Sequence, residues 1–86
     1  MPKYINYLGP DGLEYPIIFP ETLKHSEVNR MVTGIYPGFK AKSAGFIRLF
    51  VNDENKIKAD PYGASVSLGI QSSQDDIWAL ERTIDN

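Results

Sequence analysis

Apolar and polar positions change their period several times along this chain, and each change marks an element. Lys3 to Leu8 is rich in Tyr and Ile and runs into Gly9-Pro10-Asp11-Gly12, where proline presets one turn position and glycine can take a positive φ. The returning run sets Leu13, Tyr15, Ile17 and Phe19 against Glu14, Pro16 and Ile18, which predicts a β-hairpin with one apolar face. Pro16 offers no N–H and therefore points to an edge strand or a bulge.

Phe19-Pro20 ends that strand, because proline interrupts a ladder. Ser26 then precedes Glu27, with Val28, Met31 and Val32 spaced to share one helical face, so a short helix is predicted over about 26–33 with Ser26 as its N-cap. A start one turn earlier, at Glu21 or Thr22, fits the spacing almost as well. Glu27 complements the positive end of the helix dipole, and Gly34 stands where a left-handed residue would stop the helix. Pro37-Gly38 is the pairing that a type II turn prefers.

From Phe39 to Val51 the run Phe46, Ile47, Leu49, Phe50 and Val51 is interrupted only by Arg48. A strand apolar on both faces belongs in the middle of a sheet. Asn52-Asp53-Glu54-Asn55 is a polar turn, and Lys56 to Asp60 alternates as the solvated partner of a second hairpin. Pro61-Tyr62-Gly63 breaks it, and Ala64 to Ile70 sets Val66, Leu68 and Ile70 against Ser65, Ser67 and Gly69, the pattern of a strand buried on one side. The last periodicity predicts a helix over about 74–84, capped by Ser73 with Asp76 three residues on, carrying Ile77, Leu80 and Ile84 as its stripe and Trp78 at the border. The order ββαβββα describes one domain over residues 1–86, an α+β fold with a mainly antiparallel sheet of four to five strands and two helices on one face.

Composition narrows the function. The 86 residues hold 9 Lys+Arg against 11 Asp+Glu, no Cys and a single His, which excludes a disulfide framework, a thiol nucleophile and metal sites needing two imidazoles. The N-terminus lacks the apolar core of a signal peptide and no run approaches a membrane span, so a cytoplasmic protein without membrane contact is expected. Charge is uneven: residues 24–58 carry seven of the nine basic groups against three acids.

Few residues stand out as chemistry. His25 beside a helix start has the pKa range of a general base, but no second group is placed to orient it, so it reads first as a structural or capping residue and second as a partner contact. Asp53-Glu54-Asn55 lacks the glycine and closing glutamate of a calcium loop, and Asp75-Asp76 reads as dipole stabilisation. Lys40, Lys42, Arg48, Lys56 and Lys58 form a basic face if the two strands pair, with Tyr36 and Phe39 as stacking groups for single-stranded nucleic acid, whereas lysines on outer strands also serve to block edge-to-edge aggregation. Tyr4, Tyr7, Tyr15, Tyr36 and Tyr62 are more phenols than so small a domain buries, which suggests a binding surface as readily as cross-strand packing. No catalytic residue, metal or cofactor is predicted.

Tyr15-Pro16-Ile17-Ile18-Phe19-Pro20, His25, Ser43-Ala44-Gly45-Phe46, Ser65-Val66-Ser67-Leu68 and Ser72 with Asp75-Asp76 follow one another in an order that resembles a family of short, uncharacterised proteins of tailed bacteriophages and prophages. The likeness spans about residues 13–84, and Asn52 to Lys58 and Pro61 to Ala64 depart from it. It implies a phage origin and, for a phage-encoded protein, the host cytoplasm. The expected function is that of a non-enzymatic accessory protein that binds a host or phage macromolecule, a protein before nucleic acid, with Tyr36, Phe39, Lys40, Lys42, Arg48, Lys58 and His25 as partner-binding candidates. The alternatives are a nucleic-acid-binding module built on the 39–58 hairpin and a minor virion or assembly component.

Overall fold

The computed structural model describes residues 1–85. Its strands are β1 (Lys3–Leu8), β2 (Glu14–Phe19), β3 (Lys40–Val51), β4 (Ile57–Tyr62), β5 (Ala64–Ser65) and β6 (Ile70–Gln71), with helices α1 (His25–Ile35) and α2 (Ile77–Asp85), the latter entered through a 3-10 turn at Gln74–Asp76. The first four strands form an antiparallel sheet in the order β2-β1-β3-β4, and β5 and β6 form a separate small hairpin. The α+β class and the mainly antiparallel sheet are as expected. Pro16 lies on an edge strand, as its missing N–H requires.

The helices do not share a face. Val28 and Val32 of α1 pack with Ile5, Tyr7, Phe19 and Ala44, whereas Leu80 of α2 packs with Tyr4, Ile47 and Ala59. Since consecutive strand residues point to opposite sides, Tyr4 and Ile5 place the two helices on opposite sides of the sheet. The reason is in β1, where Tyr4, Ile5, Asn6 and Tyr7 are buried in succession: a central strand with apolar groups on both faces needs cover on both.

Several boundaries differ from the sequence reading. Helix α1 starts at His25 with Lys24 as N-cap, in place of Ser26, because Glu27 Oε1 accepts the Lys24 N–H at 2.9 Å and anchors the first turn. Gly34 stays helical and Tyr36 closes the helix through its N–H to the Val32 carbonyl at 2.7 Å. Gly38 takes no positive φ, so no type II turn forms. A Cβ at Gly38 would meet Pro10 Cγ at 3.2 Å, and its smallness lets the two loops pack together.

Strand β4 runs through Pro61 and stops at Gly63, whose φ of 73° turns the chain. The strand expected over 64–70 is instead the β5–β6 hairpin. Ser65 Oγ accepts the Leu68 N–H at 3.2 Å and Gly69 adopts φ 68°, which closes a turn and leaves Val66 95% exposed. Strand β3 is central only over its first half. β1 ends opposite Phe46, and Leu49, Phe50 and Val51, expected to be buried, project with β4 as an exposed ribbon.

Candidate functional site

The turn that follows α1 brings Tyr36 over Phe39, with ring centroids 5.1 Å apart and planes at 26°, and Phe39 in turn meets Tyr15 of β2 at 4.9 Å. Tyr7 touches the same ring from the core side at 6.2 Å. The phenol of Tyr15 donates to Asp11 Oδ2 in the β1–β2 turn, which orients the ring; the same bond holds the Asp11 carboxyl below the usual carboxylate range and raises the Tyr15 phenol. Around the open edge of β2, on the opposite face of the sheet, α2 supplies the other wall. There Trp78 is 69% exposed and Arg82 lies over its indole at 4.5 Å, the i, i+4 spacing that stacks two side chains along a helix. Tyr15, Tyr36, Phe39, Trp78 and Arg82 line one groove of about 900 Å³ with Pro16 in its floor.

Of the residues singled out from the sequence, Tyr36 and Phe39 meet here. The basic set does not. Lys42 Nζ donates to Glu14 Oε2 at 2.8 Å, Lys58 lies 3.6 Å from Glu81, and the Arg48 guanidinium covers the Tyr62 ring at 5.0 Å. Lys40 is exposed without a salt bridge among the described residues, and eight residues of extended strand, about 26 Å at the usual rise, separate it from Arg48. His25 is buried, edge-on to Phe19 and Phe46, and its Nε2–H donates to the Gly45 carbonyl at 2.9 Å. Its ring fills the core and offers nothing to a partner.

Trp78 and Arg82 were not among the sequence-derived site residues, and Tyr15 entered only as one of the five tyrosines read as either binding surface or cross-strand packing. Trp78 stands at the border of an apolar stripe and Arg82 one turn on, a signal for a cation–π pair that becomes a site only once α2 is known to lie against β2.

A second cluster is buried. The Asp76 carboxylate accepts Tyr4 Oη at 2.5 Å, Ser43 Oγ at 2.7 Å and Asn6 Nδ2 at 2.9 Å. Asn6 Nδ2 also donates to Glu14 Oε1 at 2.8 Å, linking the cluster to the Glu14–Lys42 pair. Burial, and then the carboxylate beside it, push the Tyr4 phenol well above its usual range. Asp76 therefore does more than favour a helix dipole. Hydroxyl, carboxylate and phenol are all present, yet Tyr4 and Asp76 are fully buried, and none of Tyr4, Ser43 and Asp76 lines the groove. The cluster joins the start of α2 to the sheet.

Among the described residues no three His, Asp or Glu side chains gather as a cation site, and no helix is long and apolar enough to cross a membrane. Comparison of the chain with protein-family models, with curated proteins and with solved structures finds no match.

Proposed function

We propose that this protein is a small accessory binding module of phage type, acting in the host cytoplasm, that holds a segment of a host or phage protein in the aromatic groove and performs no chemistry of its own. The observation that carries this reading is the Tyr36–Phe39–Tyr15 stack on one side of the β2 edge with Trp78 and Arg82 on the other and Pro16 between them, all lining one groove. Rings held in place by one another present apolar area at little entropic cost on binding, and Trp, Tyr and Arg dominate binding energy in protein interfaces. Pro16 removes a donor from the strand edge in the groove floor, so the partner is recognised by its side chains on the aromatics, as proline-rich segments are, and not by addition of a strand. The likeness to short phage proteins supports the origin and the compartment.

Nucleic acid on the 39–58 hairpin is the weaker reading, because Lys42, Arg48 and Lys58 of its proposed cations already have an ionic or cation–π partner. The test is affinity capture from host lysate with the wild type and with a Tyr36→Ser, Trp78→Ser double variant, washed at high salt with nuclease. One protein retained by the wild type and lost by the variant supports the groove. Capture that nuclease abolishes, or that the variant retains, refutes it.

A further inference from the structure

The four-stranded sheet has three open edges, and two of them are blunted. On β2 the edge carries Pro16. On β4 the Ala59 N–H is taken by Glu81 Oε2 at 3.0 Å, Pro61 has no N–H, and the Pro61 carbonyl accepts from Gln74 Nε2 at 3.2 Å. Proline, charge and cover are the usual means of closing an edge to other chains.

The third edge belongs to β3. β1 pairs with β3 as far as Lys3 opposite Phe46, and Ile47 N–H donates to the Pro2 carbonyl at 2.9 Å. Beyond that point Arg48–Val51 has β4 on one side and, among the described residues, no strand on the other. Hydrogen-bonding direction alternates along a strand, so Leu49 and Val51, in phase with Ile47, turn their N–H and C=O groups to the open side. No loop or side chain among the described residues takes them. The side chains are apolar as well: Leu49, Phe50 and Val51 are 42%, 50% and 61% exposed, and Ile57, opposite Val51, is 41% exposed. The cations that would guard this edge are drawn away, Arg48 onto Tyr62 and Lys58 toward Glu81.

We infer that this edge is a self-association surface on which two copies of the chain pair their β3 ribbons antiparallel about a two-fold axis at Phe50. The occupant follows from the register. Pairing Leu49 of each copy with Val51 of the other satisfies the open N–H and C=O groups of both residues on both chains, while a register centred on Leu49 would claim the Ile47 N–H already given to Pro2. An isologous contact needs a patch complementary to itself, and here a donor-acceptor pattern symmetric about Phe50 coincides with apolar side chains on both faces of the ribbon. Phe50 then meets Phe50 of the second copy in the close, non-hydrogen-bonded position, with Cα atoms about 4.5 Å apart. The patch is small, so the dimer is weak, with a dissociation constant in the range of about 10–100 µM. This inference is independent of the aromatic groove, which lies along β2.

The test uses the full chain with any tag at the C terminus, so that no foreign residue extends β1 along this edge. Sedimentation velocity over about 10–500 µM should show a reversible monomer–dimer equilibrium, which Phe50→Glu weakens at least about 30-fold by placing two carboxylates face to face. Because the chain has no cysteine, Phe50→Cys reports the register directly. It should oxidise to a disulfide dimer at least about tenfold faster than Val66→Cys on the exposed β5–β6 turn, since the paired Cα separation suits a disulfide. A chain that remains monomeric throughout, a dimer that Phe50→Glu leaves intact, or equal rates for the two cysteine variants overturns the proposal.

Discussion

The Tyr4 hydroxyl donates to the Asp76 carboxylate at 2.5 Å, joining the first strand to the turn that opens the last helix across 72 residues of chain. Ser43 and Asn6 complete the shell, so the two central strands, β1 and β3, are tied to one buried carboxylate at the start of α2. Removing the acceptor strands the buried Tyr4 and Ser43 hydroxyls and leaves Asn6 with Glu14 alone, and each unsatisfied group costs about 1–3 kcal/mol. Asp76→Ala is expected to lose about 3–5 kcal/mol, a large share of the stability of a domain this small. Tyr4→Phe removes one donor from a charged acceptor and should cost about 1.5–3 kcal/mol. Urea unfolding followed by far-UV circular dichroism measures both, and a cost under about 0.5 kcal/mol for Asp76→Ala would show that the cluster is not holding α2.

Gly45 sits where β3 passes the end of β4. A Cβ there would lie 2.6 Å from the Tyr62 carbonyl oxygen and 3.1 Å from Ser72 Cβ, and the Gly45 carbonyl is the acceptor for His25. Backbone cannot move aside as a side-chain tip does, so Gly45→Ala should destabilise by about 1–3 kcal/mol. Gly34→Ala makes the contrast: nothing stands within 4 Å of its Cβ and the residue is helical, so a gain of about 0.5–1 kcal/mol is expected. Thermal melts of the two variants should move in opposite directions.

Lys42 and then Asn6 hold the Glu14 carboxyl below the usual carboxylate range, and Glu14 in turn raises the Lys42 ammonium. A group whose folded pKa is depressed adds stability that is complete above its unfolded pKa and lost as pH falls through the folded value. Both side chains are about a third or more exposed, so solvent screening limits the effect to less than about 1 kcal/mol. Glu14→Gln should therefore be slightly less stable than wild type at neutral pH, and the gap should close below the ordinary glutamate pKa. Urea midpoints taken across the acid range check the sign.

Burial pushes the Tyr7 phenol up to about 12, and Tyr4 is raised for the same reason. The unfolded chain then releases these protons first, and stability falls as pH rises from the ordinary tyrosine value, about 10, toward 12. Absorbance at alkaline pH should show Tyr4 and Tyr7 ionising only as the fold is lost, and Tyr7→Phe should soften the decline.

The parts of this fold written in local pattern were legible from the chain. The edge position of Pro16, the polar turn at Asn52–Asn55 and the Ser73 cap before α2 each follow from one residue's backbone chemistry. Long-range choices were not. Val66, Leu68 and Ile70 alternate like a strand, but Ser65 and Gly69 close a turn between them. Placing α2 opposite α1 needed the double-sided burial of Tyr4 to Tyr7, which periodicity alone does not distinguish from a hairpin strand. The site was half visible: Tyr36 and Phe39 are neighbours in sequence, whereas Tyr15, Trp78 and Arg82 join them only through the β1–β2 hairpin and the docking of α2 on β2.

Trp78 is the only tryptophan in the chain and stands exposed in the groove wall, so its fluorescence reports on the central claim without a label. Titration with the protein recovered by affinity capture, or with its bound segment as a peptide, should shift the emission to shorter wavelength in a saturable way as the indole leaves water, and Tyr36→Ser should weaken that binding by about tenfold or more. Binding established by calorimetry that leaves Trp78 emission unchanged and is indifferent to Tyr36→Ser would contradict the account.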